Sequence, residues 1–192
     1  RRFFVVNGYE EPAEFIPCVR SIHNSSKWCP LYTGDFSTMY TTIPHSDLIE
    51  KLDSCVNEAV VWEATIRGVD KEKIRFVIED GECTYGVRSP RSKDVFKKQT
   101  TVCMDTVKEL IQFLVKNTFV KNGGILRQQV VGIPMGTNCA PLLANLYLYA
   151  YESTFIDRLV KSQGVEVARH FHMTFRLIDD LLSADNPRFE EF

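Results

Sequence analysis

The sequence predicts an α+β fold with mostly antiparallel strand pairing. Three observations carry that expectation. Periodicities of two and of 3.6 residues alternate along the chain in the order strand, helix, hairpin, helix, hairpin, helix, hairpin. Asn122-Gly123 stands between two short β-prone runs, a strong local hairpin signal. Asp179 and Asp180 sit side by side within the largely apolar residues 175–183. Neighbouring strand residues point to opposite faces, so two adjacent carboxylates suit a tight turn between strands better than a flat strand.

In chain order, residues 3–6 read as a short strand before the turn signal Asn7-Gly8. Residues 13–23 carry Phe15, Ile16, Cys18, Val19 and Ile22 at helical spacing, although Pro17 argues against a clean helix. Residues 31–40 read as a strand with Asp35 near its end, followed by a turn at 41–45. Ser46 is a suitable N-cap for an amphipathic helix bearing Leu48, Ile49, Leu52, Cys55, Val56, Ala59 and Val60. A lone Asp at a strand end is also an ordinary cap or turn residue. Residues 74–78 and 83–87 form the first hairpin candidate around Glu79-Asp80-Gly81-Glu82.

Arg88, Arg91, Lys93, Lys97 and Lys98, opposed only by Asp94, make the most positive stretch. Such a run is either a solvated loop or a phosphate contact. Met104, Val107, Leu110, Ile111, Leu114 and Val115 form the stripe of a second amphipathic helix. Residues 118–121 and 125–130 flank Asn122-Gly123-Gly124 as the second hairpin. A loop with Gly132 and Gly136 then runs into a helix opened by Pro141, apolar on nearly every side and therefore expected to be buried. A loop of this kind is either a plain strand-to-helix connection or a cradle of backbone N–H groups for phosphate. His170 and His172 would share one face of a strand, and read as ordinary polar or packing histidines.

The bulk numbers narrow the class. A chain of 192 residues with 44% hydrophobic residues, 13 Phe and 8 Pro is expected to fold as about one domain. The net charge of -2 gives no global basic field for nucleic acid, though local patches remain open to that role. Six widely spaced cysteines without a CxxC pair suggest reduced core cysteines of an intracellular protein. Cys18, His23 and Cys29 lack a fourth zinc partner at standard spacing. No apolar run reaches the roughly 18 residues of a membrane span, and no signal peptide is visible. The chain opens at Arg1 without Met and closes at Phe192 after an acidic segment, so a piece of a larger protein is expected.

Burying two carboxylates without partners is costly. Protonation, a basic partner or a metal ion relieves that cost, and a metal needs a third carboxylate from elsewhere. Asp35 is the candidate. Three features therefore line up: Asp35-Phe36-Ser37-Thr38-Met39-Tyr40-Thr41-Thr42-Ile43-Pro44-His45; Gly132-Ile133-Pro134-Met135-Gly136-Thr137-Asn138-Cys139-Ala140-Pro141-Leu142-Leu143-Ala144-Asn145; and Arg176-Leu177-Ile178-Asp179-Asp180. In this order they resemble motifs A, B and C of a reverse transcriptase palm. Met135-Gly136 stands where many reverse transcriptases carry Gln-Gly. That feature and the hairpin at 119–129 resemble the Penelope-like retroelement branch, itself akin to telomerase reverse transcriptase. Leu177 departs from the Tyr that many members carry before the Asp pair.

The resemblance implies a right-hand polymerase palm at residues 31–192, an antiparallel sheet packed on helices, with incomplete fingers and no thumb. Motif A would span 31–45, an insertion 61–100, motif B 131–145 and motif C 175–183. Residues 1–30 would be partial fingers or a fingers–palm connection. It implies an RNA-directed DNA polymerase adding dNTPs to a DNA primer on an RNA template, without a membrane partner. Two Mg²⁺ ions about 4 Å apart, with Mn²⁺ as a substitute, would assist attack and departure. Asp35 and Asp179 would bridge the metals, with Asp180 supporting them. The Phe36 backbone would touch the triphosphate-bound metal, Tyr40 would select against a ribose 2′-hydroxyl, and Met135 and Gly136 would pack on nucleotide and template. Nuclear action is what a chromosomal retroelement would imply. The alternative is a non-catalytic, domesticated or decayed reverse-transcriptase-like module that binds nucleic acid.

Overall fold

The computed structural model describes residues 4, 30–79, 82–87 and 99–192. The strand expected at 3–6, apart from Phe4, lies outside the described residues. So do the helix expected at 13–23, the cysteine–histidine set at 18–29 and the basic loop at 88–98. In chain order the elements are β1 (Leu31–Asp35), α1 (Met39–Thr42), α2 (His45–Arg67), β2 (Ile74–Glu79), β3 (Glu82–Val87), β4 (Gln99–Val102) and α3 (Met104–Lys116). There follow β5 (Phe119–Asn122), β6 (Ile125–Gln128), α4 (Ala140–Gln163), α5 (Val165–Ala168), β7 (Thr174–Leu177) and β8 (Asp180–Ala184). All strand pairs among these are antiparallel, as the α+β expectation requires. The chain divides into two compact units, Arg1–Thr42 with Met135–Phe192, and Ile43–Pro134.

The first unit is built on a three-stranded sheet in the order β1-β8-β7. Phe4, Ile156, Leu159, Phe171 and Leu181 form its core, flanked by Phe36, Phe155, Phe189 and Phe192. Phe4 also seals the free edge of β7: its carbonyl accepts the Arg176 N–H at 2.8 Å. Helix α4 covers the sheet with one stripe, Leu143, Ala144, Tyr147, Leu148, Glu152, Ile156 and Leu159. The expectation of burial on nearly every side fails here, since Leu142 is 59% exposed and Tyr151 and Val160 are also open. A single sheet covers only one face of a helix, and hydropathy alone does not say which faces have a neighbour.

Two local expectations in this unit are corrected. The strand ends at Asp35 and residues 39–42 are helical, because Thr38 adopts φ 62°, outside the extended region. His170 lies in the 3₁₀ turn Arg169–Phe171, and His172 caps it with its ring on the Arg169 carbonyl at 2.8 Å. Neither is on a strand; β7 begins at Thr174.

The second unit packs Val60, Ala64 and Ile74 with Val69, Phe76 and Met104. Its sheet has the order β3-β2-β4, and the four-residue strand β4 is an addition to the expected hairpin. Pro44, not Ser46, holds the N-cap position of α2 at φ -63° and ψ 134°, without a side-chain cap. The Pro44 carbonyl accepts the Leu48 N–H at 2.9 Å, so the helix starts two residues earlier than the Ser46 signal implied. Gly68, at φ 63°, ends that helix by donating its N–H to Ala64 and Thr65. In the β5–β6 hairpin Asn122 pairs with Ile125, so the turn residues are Gly123 and Gly124 at φ 56° and 83°. A two-residue turn of this kind needs positive φ twice, which two glycines adopt without steric penalty. No described helix is long and apolar enough to cross a membrane.

Cys55 and Cys103 of this unit sit in different surroundings, one buried and one half-buried. Burial, with the Glu58 charge second, pushes the Cys55 thiol up to about 11. At Cys103 the Thr106 hydroxyl and amide hydrogen-bond the sulfur and pull its pKa below the usual value. The thiolate is the nucleophile, so iodoacetamide at pH 8 is expected to label Cys103 at least about tenfold faster than Cys55. Peptide mass spectrometry of the native protein measures this; equal rates would contradict the placement of Cys55 in the core.

Candidate active site

The three aspartates singled out in the sequence meet at one end of the β1-β8-β7 sheet. Asp35 is the last residue of β1 and pairs directly with Asp180, the first of β8. Leu177 pairs with Asp180 across the adjoining hairpin, leaving Ile178 and Asp179 as its two-residue turn. The Phe36 N–H donates to the Asp179 carbonyl at 3.2 Å, which carries the β1 contact one residue into the turn. Directly paired residues share a face, with Cβ atoms about 4.5–5.5 Å apart. Asp180, expected as the supporting ligand, is thus the residue opposite Asp35, and Asp179 lies one step back. Asp35 and Asp180 are exposed and Asp179 is half-buried.

The backbone brings the carboxylates together, but it does not lock them into a cage. Among the described residues no three His, Cys, Asp or Glu side chains are arranged to hold a metal ion by themselves. Asp35 Oδ2 instead accepts the Ser37 hydroxyl at 3.0 Å. Donor chemistry nevertheless suits Mg²⁺, which takes hard oxygens and typically binds one or two carboxylates with the remaining shell from water and substrate phosphate. An open pair of facing Asp residues with a third in the next turn fits that requirement.

Two left-handed residues shape the surrounding loops. Thr38, at φ 62°, turns the chain after Asp35, and its carbonyl accepts the Thr41 N–H and hydroxyl, both at 2.9 Å. That turn sets Tyr40 on α1. The Tyr40 phenol is raised above the ordinary tyrosine pKa, chiefly by burial and then by the Asp179 charge, with Arg176 partly opposing. The phenol therefore stays neutral at physiological pH. Ile178, at φ 58°, is a β-branched residue in a region that such residues rarely adopt, and it immediately precedes Asp179. The Phe36 carbonyl accepts the Met39 N–H at 3.2 Å, which leaves one of its lone pairs for another partner.

The glycine loop is more selective than its composition suggested. Gly132, at φ 85°, donates its N–H to the Ile43 carbonyl at 2.7 Å, and its carbonyl meets the His45 ring at 2.9 Å. Its amide is thus committed within the second unit. Met135 and Gly136 belong to the first unit; Met135 is 69% exposed, and a Cβ on Gly136 would meet nothing within 4 Å.

Sequence reasoning missed the group behind the turn. Arg176 and Glu152 are both fully buried and form a salt bridge from β7 to α4. Arg176 Nη1 also donates to Asn145 Oδ1 at 2.8 Å and to the Ile178 carbonyl at 2.7 Å. The second Glu152 oxygen accepts the Phe4 N–H at 2.9 Å. A signal existed: Glu152 interrupts the apolar stripe Leu148, Ile156 at four-residue spacing, and Arg176 follows Phe175 within a strand.

The fold and this site define a mixed α+β protein that presents three aspartates at the end of a small antiparallel sheet backed by a long helix. No protein-family model matches the chain, and no curated protein matches it in sequence. A solved structure shares its fold: apo telomerase from Candida tropicalis, at 13% sequence identity and a TM-score of 0.58. The match covers 97% of this chain and 28% of the telomerase chain, so the chain spans little more than a quarter of that protein's length. At that identity the likeness is one of fold. It agrees with the mixed α+β fold that the motif resemblance implied.

Proposed function

We propose that the chain is the palm region of an RNA-directed DNA polymerase of the telomerase or Penelope-like kind. It would add dNTPs to the 3′-hydroxyl of a DNA primer on an RNA template. The single observation that carries this reading is the direct pairing of Asp35 with Asp180, with Asp179 in the adjoining turn. Two separate elements deliver carboxylates to one sheet end, which a plain polar turn has no need to do.

When bound, divalent cations would supply Lewis acidity for the primer hydroxyl and charge neutralisation for the leaving pyrophosphate. Asp35 and Asp179 would hold them, with Asp180 supporting from the facing position and the Phe36 carbonyl available to the triphosphate-bound cation. Catalysis by the chain itself is then positioning and electrostatics. Met135 and Gly136, exposed on the same unit, would lie against nucleotide and template.

Tyr40 would close the pocket over C2′ of the sugar. Removing its ring is expected to lower discrimination against rNTPs by on the order of tenfold or more, since a lost pocket contact of this size shifts selectivity by that amount. Competing dNTP and rNTP incorporation by the Tyr40→Ala protein measures it; unchanged discrimination would remove Tyr40 from the sugar site.

The reading itself is tested by RNA-templated, Mg²⁺-dependent dNTP addition to a DNA primer by the intact protein. Synthesis supports it. Salt-dependent RNA binding without synthesis would favour the non-catalytic binding module instead.

A further inference from the structure

We infer that Arg176 is the positioning residue for the aspartate turn, linking helix α4 to the carboxylates. This rests on the polymerase reading of the same site. A fully buried arginine in the strand before the turn has one guanidinium and three destinations. Its Nε meets Glu152, and Nη1 meets both the Asn145 side chain and the Ile178 carbonyl. Nη2 reaches the Asn145 carbonyl at 3.3 Å. Asn145 and Glu152 lie seven residues apart on α4, two turns along one face, so the helix offers the fork a fixed platform.

The third destination is the informative one. Ile178 is held at φ 58°, and the peptide that Arg176 grips joins Ile178 to Asp179. A β-branched residue persists in that conformation only where its surroundings over-determine it. The Ile178 carbonyl fixes the plane of that peptide, and the plane sets where the Asp179 Cα–Cβ bond points. Glu152 neutralises the buried charge, and its other oxygen is already engaged by the Phe4 N–H. The two groups have separable tasks: Glu152 keeps Arg176 buried, while Arg176 aims Asp179. A lysine keeps the charge but cannot serve the helix and the turn with one planar fork.

The test is binding of Mn²⁺ alone by the intact protein, followed as loss of the free-ion electron paramagnetic resonance signal. Four proteins are compared: wild type, Asp179→Ala, Arg176→Lys, and the double variant Arg176→Met with Glu152→Gln. The double variant removes both charges together, which spares the fold an unpaired buried ion, and the Gln oxygen can still accept the Phe4 N–H. Thermal melting shows that each variant is folded.

Asp179→Ala is expected to abolish binding. Both Arg176 variants are expected to weaken it by roughly 10–100-fold while remaining folded, the range typical of residues that orient metal ligands. Wild-type affinity in the folded Arg176 variants, with binding lost in Asp179→Ala, would overturn the positioning role and leave the polymerase reading intact. Wild-type affinity in Asp179→Ala would overturn the metal site itself, and the inference with it.

Discussion

Asp179→Asn in the intact protein is expected to lower Mg²⁺-dependent dNTP addition by on the order of 10³-fold, with little change in stability. The substitution keeps the shape of the side chain and removes only its charge. Asp179 is half-buried in a turn, and its backbone carbonyl, which accepts the Phe36 N–H, is untouched. The fold therefore loses little, within about 0.5 kcal/mol for a change of this kind. The proposed reaction loses a ligand to the ions that neutralise charge at the reacting centre. Asp35→Asn is expected to cost about as much, and the two together little more, because groups that act as a unit are not additive. Single-turnover primer extension beside thermal melting measures both effects. Activity that survives Asp179→Asn would remove this residue from the metal-binding role.

Glu152→Ala is expected to destabilise the first unit by about 3–5 kcal/mol. Glu152 and Arg176 are each 0% exposed, so deleting the carboxylate leaves a buried guanidinium without its counter-charge. It also strands the Phe4 N–H, whose acceptor is the other Glu152 oxygen. Typical domains have about 5–15 kcal/mol in total, so this single change removes a large share of the margin. Urea denaturation of the variant beside wild type measures the loss. A change under about 1 kcal/mol would mean that water or another carboxylate reaches Arg176.

What the sequence made legible was local. The stripe from Met104 to Val115 became a helix over Met104–Lys116, and the Asp179-Asp180 run became the head of a hairpin. In both cases residues a few positions apart determine the outcome. The end of β1 was not legible in this way: Ser37, Thr38 and Met39 suit a strand, and only the positive φ of Thr38 breaks it. The start of α2 is not legible either, because Ser46 is the better cap by chemistry, while the proline two residues earlier is already pre-set in an extended conformation.

The site divides along the same line. Asp179-Asp180 announced itself by two charges in an apolar run. Asp35 stands out only as the third carboxylate that the pair needs; its pairing with Asp180 joins distant parts of the chain, and no local pattern encodes it. The Arg176–Glu152–Asn145 group was invisible for the same reason, since its meaning lies in contacts between a strand and a distant helix. Gly132 shows the converse. The composition of the loop leaves a plain connection and a cradle of free amides both open, and the Gly132 N–H donates to the Ile43 carbonyl.

Asp35 and the Asp179-Asp180 turn are proposed to hold a shared divalent cation. Anomalous diffraction at the manganese edge, from crystals of the intact protein grown with Mn²⁺ and a dNTP, tests it most directly. A shared ion gives a peak within about 2.5 Å of carboxylate oxygens from both Asp35 and Asp179. Manganese bound only elsewhere, with those carboxylates free, would contradict it.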